Sequence, residues 1–194
     1  MKKKKEISVP SSDQLETELK RVRYNQRYRT VLRSTIYTLI TVAAVSVLVA
    51  TLWLPVLQIF GNSMTPTLEN NDIVFSLKTG DFQHGDVIAF YYNNKILVKR
   101  VIGCPGDWVD LDPDGTTYVN NIPLHEPYVT DMAYGDTNIE LPYQVPDGRL
   151  FVMGDHRSTS VDSRNTAVGC VAQEQIVGKI VFRIWPIDQI GFVE

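Results

Sequence analysis

A chain of 194 residues has room for one domain, or one with a sizeable insertion, once any membrane segment is set aside. Its formal charge of −3 conceals an asymmetry: residues 1–33 carry ten Lys or Arg against four Asp or Glu, and residues 34–194 carry nine against eighteen. The acidic body argues against a nucleic-acid partner, which would meet a clustered basic face, and two cysteines without C-x-x-C spacing beside three scattered histidines make no metal signature.

The polar, basic segment 1–33 opens with Met1 to Ile7, expected to be disordered. Ser11-Ser12-Asp13 with Glu16 then reads as a helix start with acids in its first turn. Residues 34–54 carry no charge, and 21 residues at 1.5 Å each give roughly 31 Å of helix, enough to cross a bilayer core. A cleavable signal peptide is the rival reading. The long basic segment, the length of the apolar run and the bulky Trp53-Leu54-Pro55 that ends it favour an uncleaved anchor. Basic residues before the span and few just after it place the N-terminus in the cytoplasm and residues 55–194 outside. Anionic lipid is the natural partner of the basic tail.

From Asp72 onward, short β-branched and aromatic runs separated by Gly, Pro, Asn and Asp predict a mainly β body. Strands are expected at 73–75, 87–92, 96–102, 108–111, 118–120, 150–153 and 176–184. Two of them form a hairpin across Asn93-Asn94, since Asn tolerates the positive φ of tight turns. Residues 108–149, rich in Asp, Gly, Pro and Tyr, read as an excursion from the core. Cys104 and Cys170 read as free buried thiols in preference to a disulfide.

Three stretches hold chemistry-bearing side chains. Gly61-Asn62-Ser63-Met64-Thr65-Pro66 is by itself an ordinary loop signal with a serine in it. Lys99, on the second arm of the hairpin, shares a face with Leu97 and Val101 by period-two alternation. An unperturbed lysine, with a pKa near 10.4, is only about 0.4% neutral at pH 8. Desolvation between apolar neighbours lowers that pKa, and a fall of about 2 units corresponds to roughly 2.7 kcal/mol. A neutral Lys99 is a base for the Ser63 hydroxyl without any histidine, whereas a lysine that snorkels from a strand edge is not. Arg100, on the opposite face, reads as an ion-pair partner. The third stretch, Gly154 to Arg164, has the composition of a solvated turn.

In this order the three stretches resemble the type I signal peptidases, membrane-bound serine proteases of the Ser-Lys dyad type, with the likeness running from the apolar segment to the C-terminus. The resemblance implies a signal-peptidase and self-cleaving-repressor-like β core behind one transmembrane helix. It also implies removal of N-terminal signal peptides through an acyl-enzyme, with Ser63 as nucleophile and Lys99 as base. Ser160 matches the serine whose hydroxyl hydrogen-bonds the lysine. Asp162 and Arg164 match an ion pair holding the loop, and Asp155 and Arg157 help to fix its fold. Met64 is expected beside the first substrate pocket. The Ser63 backbone N–H is one oxyanion donor; the second, a serine hydroxyl two residues before the nucleophile in some members, meets Gly61 here, which leaves Gly61 or Asn62 or the local backbone for that task. His156 stands where Asn is common, and Cys104 where an aliphatic residue is usual. The implied partners are secretory preproteins with small residues at −1 and −3, membrane lipid and the secretion machinery; no cofactor is implied. Rival readings are a self-cleaving relative of the same fold and a non-catalytic paralogue that binds signal peptides.

Overall fold

The computed structural model describes residues 11–53 and 55–193, so the expectation for Met1 to Ile7 lies outside the described residues. Contacts divide the chain into two units, 1–50 and 51–194. The described residues of the first lie in a helix, α1 (Ser12–Trp53), long and apolar enough in its second half to cross a membrane. Ser11 caps it: its hydroxyl accepts from the Gln14 N–H at 3.4 Å, and the Gln14 amide oxygen accepts from the Ser11 N–H at 3.1 Å. Where the sequence suggested a polar segment and then a span, the helix runs unbroken, because no Gly or Pro lies between Ser11 and Pro55. Exposed Glu16–Lys20 and Glu18–Arg21 pairs, at 3.9 and 3.2 Å, add little to it.

The second unit is antiparallel β. Its strands are β1 (Val56–Gln58), β2 (Ile73–Leu77), β3 (Val87–Tyr92), β4 (Lys95–Gly103), β5 (Trp108–Leu111), β6 (Thr117–Val119), β7 (Ile122–Pro123), β8 (Tyr143–Gln144), β9 (Arg149–Met153), β10 (Val171–Ala172), β11 (Ile176–Trp185) and β12 (Gly191–Phe192). The main sheet has the order β1-β2-β11-β3-β4-β9-β10, with β12 against β11. The excursion forms a second, four-stranded sheet, β7-β6-β5-β8.

The β3–β4 hairpin turns at Asn93 and Asn94, with φ of 43° and 64°, the left-handed conformation that Asn accepts. Strand β4 has two regimes. Lys95–Arg100 pairs with β3, and only from Arg100 onward does β9 join the other side. The half flanked on both sides is buried on both faces, so alternation of exposure disappears there. Beneath the 59–72 segment lies a core of Met64, Leu68, Val74, Val87 and Ile180. Met64 and Leu68, both buried, contribute about 1.5–3 kcal/mol each and fasten that segment to the sheet.

Candidate active site

Ser63 sits in a turn-rich segment between β1 and β2. The segment is tied at both ends: the Ile59 N–H donates to the Asp72 carbonyl at 2.8 Å, and the Gly61 N–H to the Asn70 side-chain oxygen at 2.9 Å. Arg183 of β11 donates to the Asp72 carboxylate at 2.9 Å and to the Thr67 carbonyl at 3.2 Å. Gly61 has φ +94°, a conformation open to glycine at little cost, and it turns the chain directly before Ser63.

Lys99 is 3% exposed, and its Nζ donates to Ser63 Oγ at 2.6 Å. Val101, which shares its face, is fully buried. Burial brings the Lys99 ammonium down from its ordinary 10.5 to about 8; the Asp162 and Asp155 carboxylates pull the other way, and Arg164 assists the fall. A serine hydroxyl beside a lysine with a lowered pKa has the geometry that a nucleophile and its general base require.

Behind the pair, residues 154–164 form a loop held by buried ions. Arg164 grips Asp162 with two bonds of 2.9 Å, and Asp162 accepts the Gly154 N–H at 3.0 Å. Burial works against the Asp162 carboxylate, but these donors outweigh it and hold its pKa below the usual range. Asp155 pairs with Arg100, at 2.9 and 2.7 Å, which carries the ion-pair expectation for Arg100 into the loop. The His156 N–H donates to the Ser63 carbonyl at 3.1 Å, so loop and nucleophile are joined through main chain. A Cβ on Gly154 would collide with Ser160 Oγ and the Ser63 carbonyl, so that position admits only glycine without displacement.

Ser160 departs from expectation. It is 2% exposed, yet its Oγ makes no hydrogen bond of good geometry, to Lys99 or to any other group, although it lies near enough to Asp162 to help lower that carboxyl. The Lys99 amine is instead directed at Ser63.

The excursion supplies groups that sequence reasoning missed. Glu126 pairs with Arg157 at 2.5 and 2.9 Å, Thr117 accepts from Arg157 at 3.0 Å, and the Tyr128 ring lies 3.9 Å from the Arg100 guanidinium. Thr67 Oγ1 donates to Asp155 at 2.5 Å. The only signal in sequence was an acidic residue among prolines and aromatics, which marks no partner. His156 bonds Thr159 at 2.6 Å and faces Asp131 at 3.6 Å, with no bond to Ser63 Oγ.

Ser63 and Lys99 open on a groove of about 770 Å³ lined by Val56 to Gly61 on one wall and Lys95 to Val98 on the other, with Met64 in its floor. Met64 is thus both core and groove lining. Each wall is a strand with one edge unpaired among the described residues: β1 bonds only β2, and this half of β4 bonds only β3.

The chain is similar to a signal peptidase IB of Staphylococcus aureus, 38% identical over 68% of this chain and 78% of that protein. It is likewise similar to a signal peptidase I of Bacillus licheniformis, 35% identical over 67% and 76%. A crystal structure of a signal peptidase I from Enterococcus faecalis aligns with a TM-score of 0.44 at 32% identity, covering 51% of this chain and 96% of that one. Residues 32–185 match the family described as signal peptidase, peptidase S26, and the chain, a serine endopeptidase with an apolar anchoring helix, belongs to that family.

Proposed function

We propose that the protein removes signal peptides from secretory preproteins through attack by Ser63 on the scissile carbonyl, with Lys99 as general base. The observation that carries this reading is the 2.6 Å contact between a buried lysine amine and the serine hydroxyl. Neutral Lys99 takes the Ser63 proton as Oγ attacks. The proton passes to the leaving amine as the peptide bond breaks, and the acyl-enzyme ester is hydrolysed by a water that Lys99 deprotonates in turn. The Ser63 N–H serves as one donor to the oxyanion, with a second from the Gly61–Asn62 segment.

The groove suits an extended peptide lying between β1 and β4 as an added strand, main-chain bonds giving affinity and alternate side chains entering pockets. The small residues expected at −1 and −3 would lie beside Ser63, where Met64 lines the groove. The helix crosses the membrane with its basic end in the cytoplasm, and the β body is outside. Nine residues from Leu54 to Ser63 span at most about 30 Å, so cleavage takes place close to the lipid surface, within reach of the secretion machinery.

The test is cleavage of a preprotein with an Ala-x-Ala junction in detergent by wild type, Ser63→Ala and Lys99→Met. Cleavage at the junction by wild type alone is expected. Cleavage by either variant at the wild-type rate overturns the assignment.

A further inference from the structure

His84, Cys104 and Asp107 are separated in sequence by spacings that carry no metal signature, yet folding gathers one ligand atom from each within 4.8 Å of the others. We propose that these three side chains form a zinc site with a fourth position open to water. The site shares no residue with the groove that holds Ser63.

The donor set fits. Imidazole nitrogen, thiolate sulfur and carboxylate oxygen are the ligands zinc prefers, and three protein ligands with an open fourth position is a known zinc arrangement. Tetrahedral zinc at about 2.0–2.3 Å from each ligand spaces them roughly 3.4–3.7 Å apart. His84 Nε2 lies 2.7 Å from Asp107 Oδ2, so that pair opens by less than about 1 Å. His84 is half exposed and free to swing by that amount.

The surroundings are organised as well. Asp107 Oδ1 accepts from Asn120 Nδ2 at 2.8 Å, and Oδ2 accepts from the Cys104 N–H at 2.7 Å, which fixes the carboxylate plane as an outer ring of donors does around bound metals. Cys104 and Asp107 come from one tight turn, closed by the Asp107 N–H on the Cys104 carbonyl at 3.0 Å, with Gly106 at φ +88°. Asp86 and Asp81 add negative charge around Cys104 and Asp107, which attracts a dication. Binding forms a zinc–sulfur bond as the Cys104 proton leaves to solvent, with His84 coordinating through Nε2. The ion would staple the segment before β3 to the β4–β5 turn.

The experiment takes the full chain in detergent, without an affinity tag and stripped by chelator. Zn²⁺ is titrated by calorimetry and Co²⁺ by absorption, with circular dichroism verifying the fold of each variant. One equivalent of Zn²⁺ is expected, together with a thiolate-to-cobalt charge-transfer band and the intense visible bands of tetrahedral Co²⁺. Cys104→Ser should abolish the charge-transfer band, the exposed substitution His84→Gln should weaken binding by at least about 10-fold, and Asn120→Ala by about 10-fold. Absence of saturable binding to wild type overturns the proposal, as does one-equivalent binding that survives both Cys104→Ser and His84→Gln. Preprotein cleavage plays no part in this readout, so its failure and that of the catalytic reading are separable.

Discussion

Arg157 of the 154–164 loop and Glu126 of the excursion face each other across two bonds of 2.5 and 2.9 Å, and neither side chain is exposed. Since the loop's main chain also holds the Ser63 carbonyl, the excursion braces the candidate site from outside.

Breaking that pair from one side leaves a buried, uncompensated guanidinium. Glu126→Gln should therefore cost about 3–5 kcal/mol of unfolding free energy and reduce turnover. Removing both charges in Glu126→Gln with Arg157→Met should recover part of the loss, because the pair's mutual attraction largely serves to offset its own desolvation. Denaturant unfolding of the single and double variants measures this; equal stability of Glu126→Gln and wild type would show the pair to be idle.

Lys99 bears the opposite relation to stability. Its pKa falls from 10.5 to about 8 in the fold, so below pH 8 both states are protonated and the native state carries the full cost of burying the charge. Between about pH 8 and 10.5 the native lysine is neutral while the unfolded one still holds its proton, so stability rises with pH through that window. At neutral pH Lys99→Met should be more stable than wild type by about 3 kcal/mol, and the difference should shrink above pH 8. Paired denaturation curves across pH check it; a gap that widens with pH would contradict the sign.

Ser160 separates structure from catalysis. Its buried Oγ makes no good hydrogen bond, so Ser160→Ala should leave stability unchanged or raise it by about 1 kcal/mol. If the hydroxyl turns to Lys99 once the amine is neutral, turnover falls 10-fold or more by the usual scale of proton-transfer assistance. Melting and single-turnover cleavage together decide it; an unchanged rate removes Ser160 from the mechanism.

Much of the β body was legible because its strands are β-branched runs cut by turn residues, and Asn93-Asn94 marked the hairpin on which Lys99 stands. Lys99 lies on the face that alternation gives it, but Arg100 is as deeply buried, because a strand flanked on both sides loses its solvent face. The short strands β1, β7, β8, β10 and β12 have two or three residues each, too few for any period to register. Ser63 and Lys99 were readable as a pair only through family resemblance, since 36 residues separate them. Glu126 was not readable at all: an ion pair formed across 31 residues between two loops has no local signature.

Lys99, whose pKa burial lowers to about 8, takes the Ser63 proton in its neutral form. The most direct test is the pH dependence of kcat/KM for preprotein cleavage by wild type, with His156→Gln beside it. An acidic limb with its midpoint at about 8 is expected, below which the rate falls about tenfold per pH unit, unchanged in His156→Gln. A midpoint near 6.5, the ordinary histidine value, that disappears in His156→Gln would contradict it.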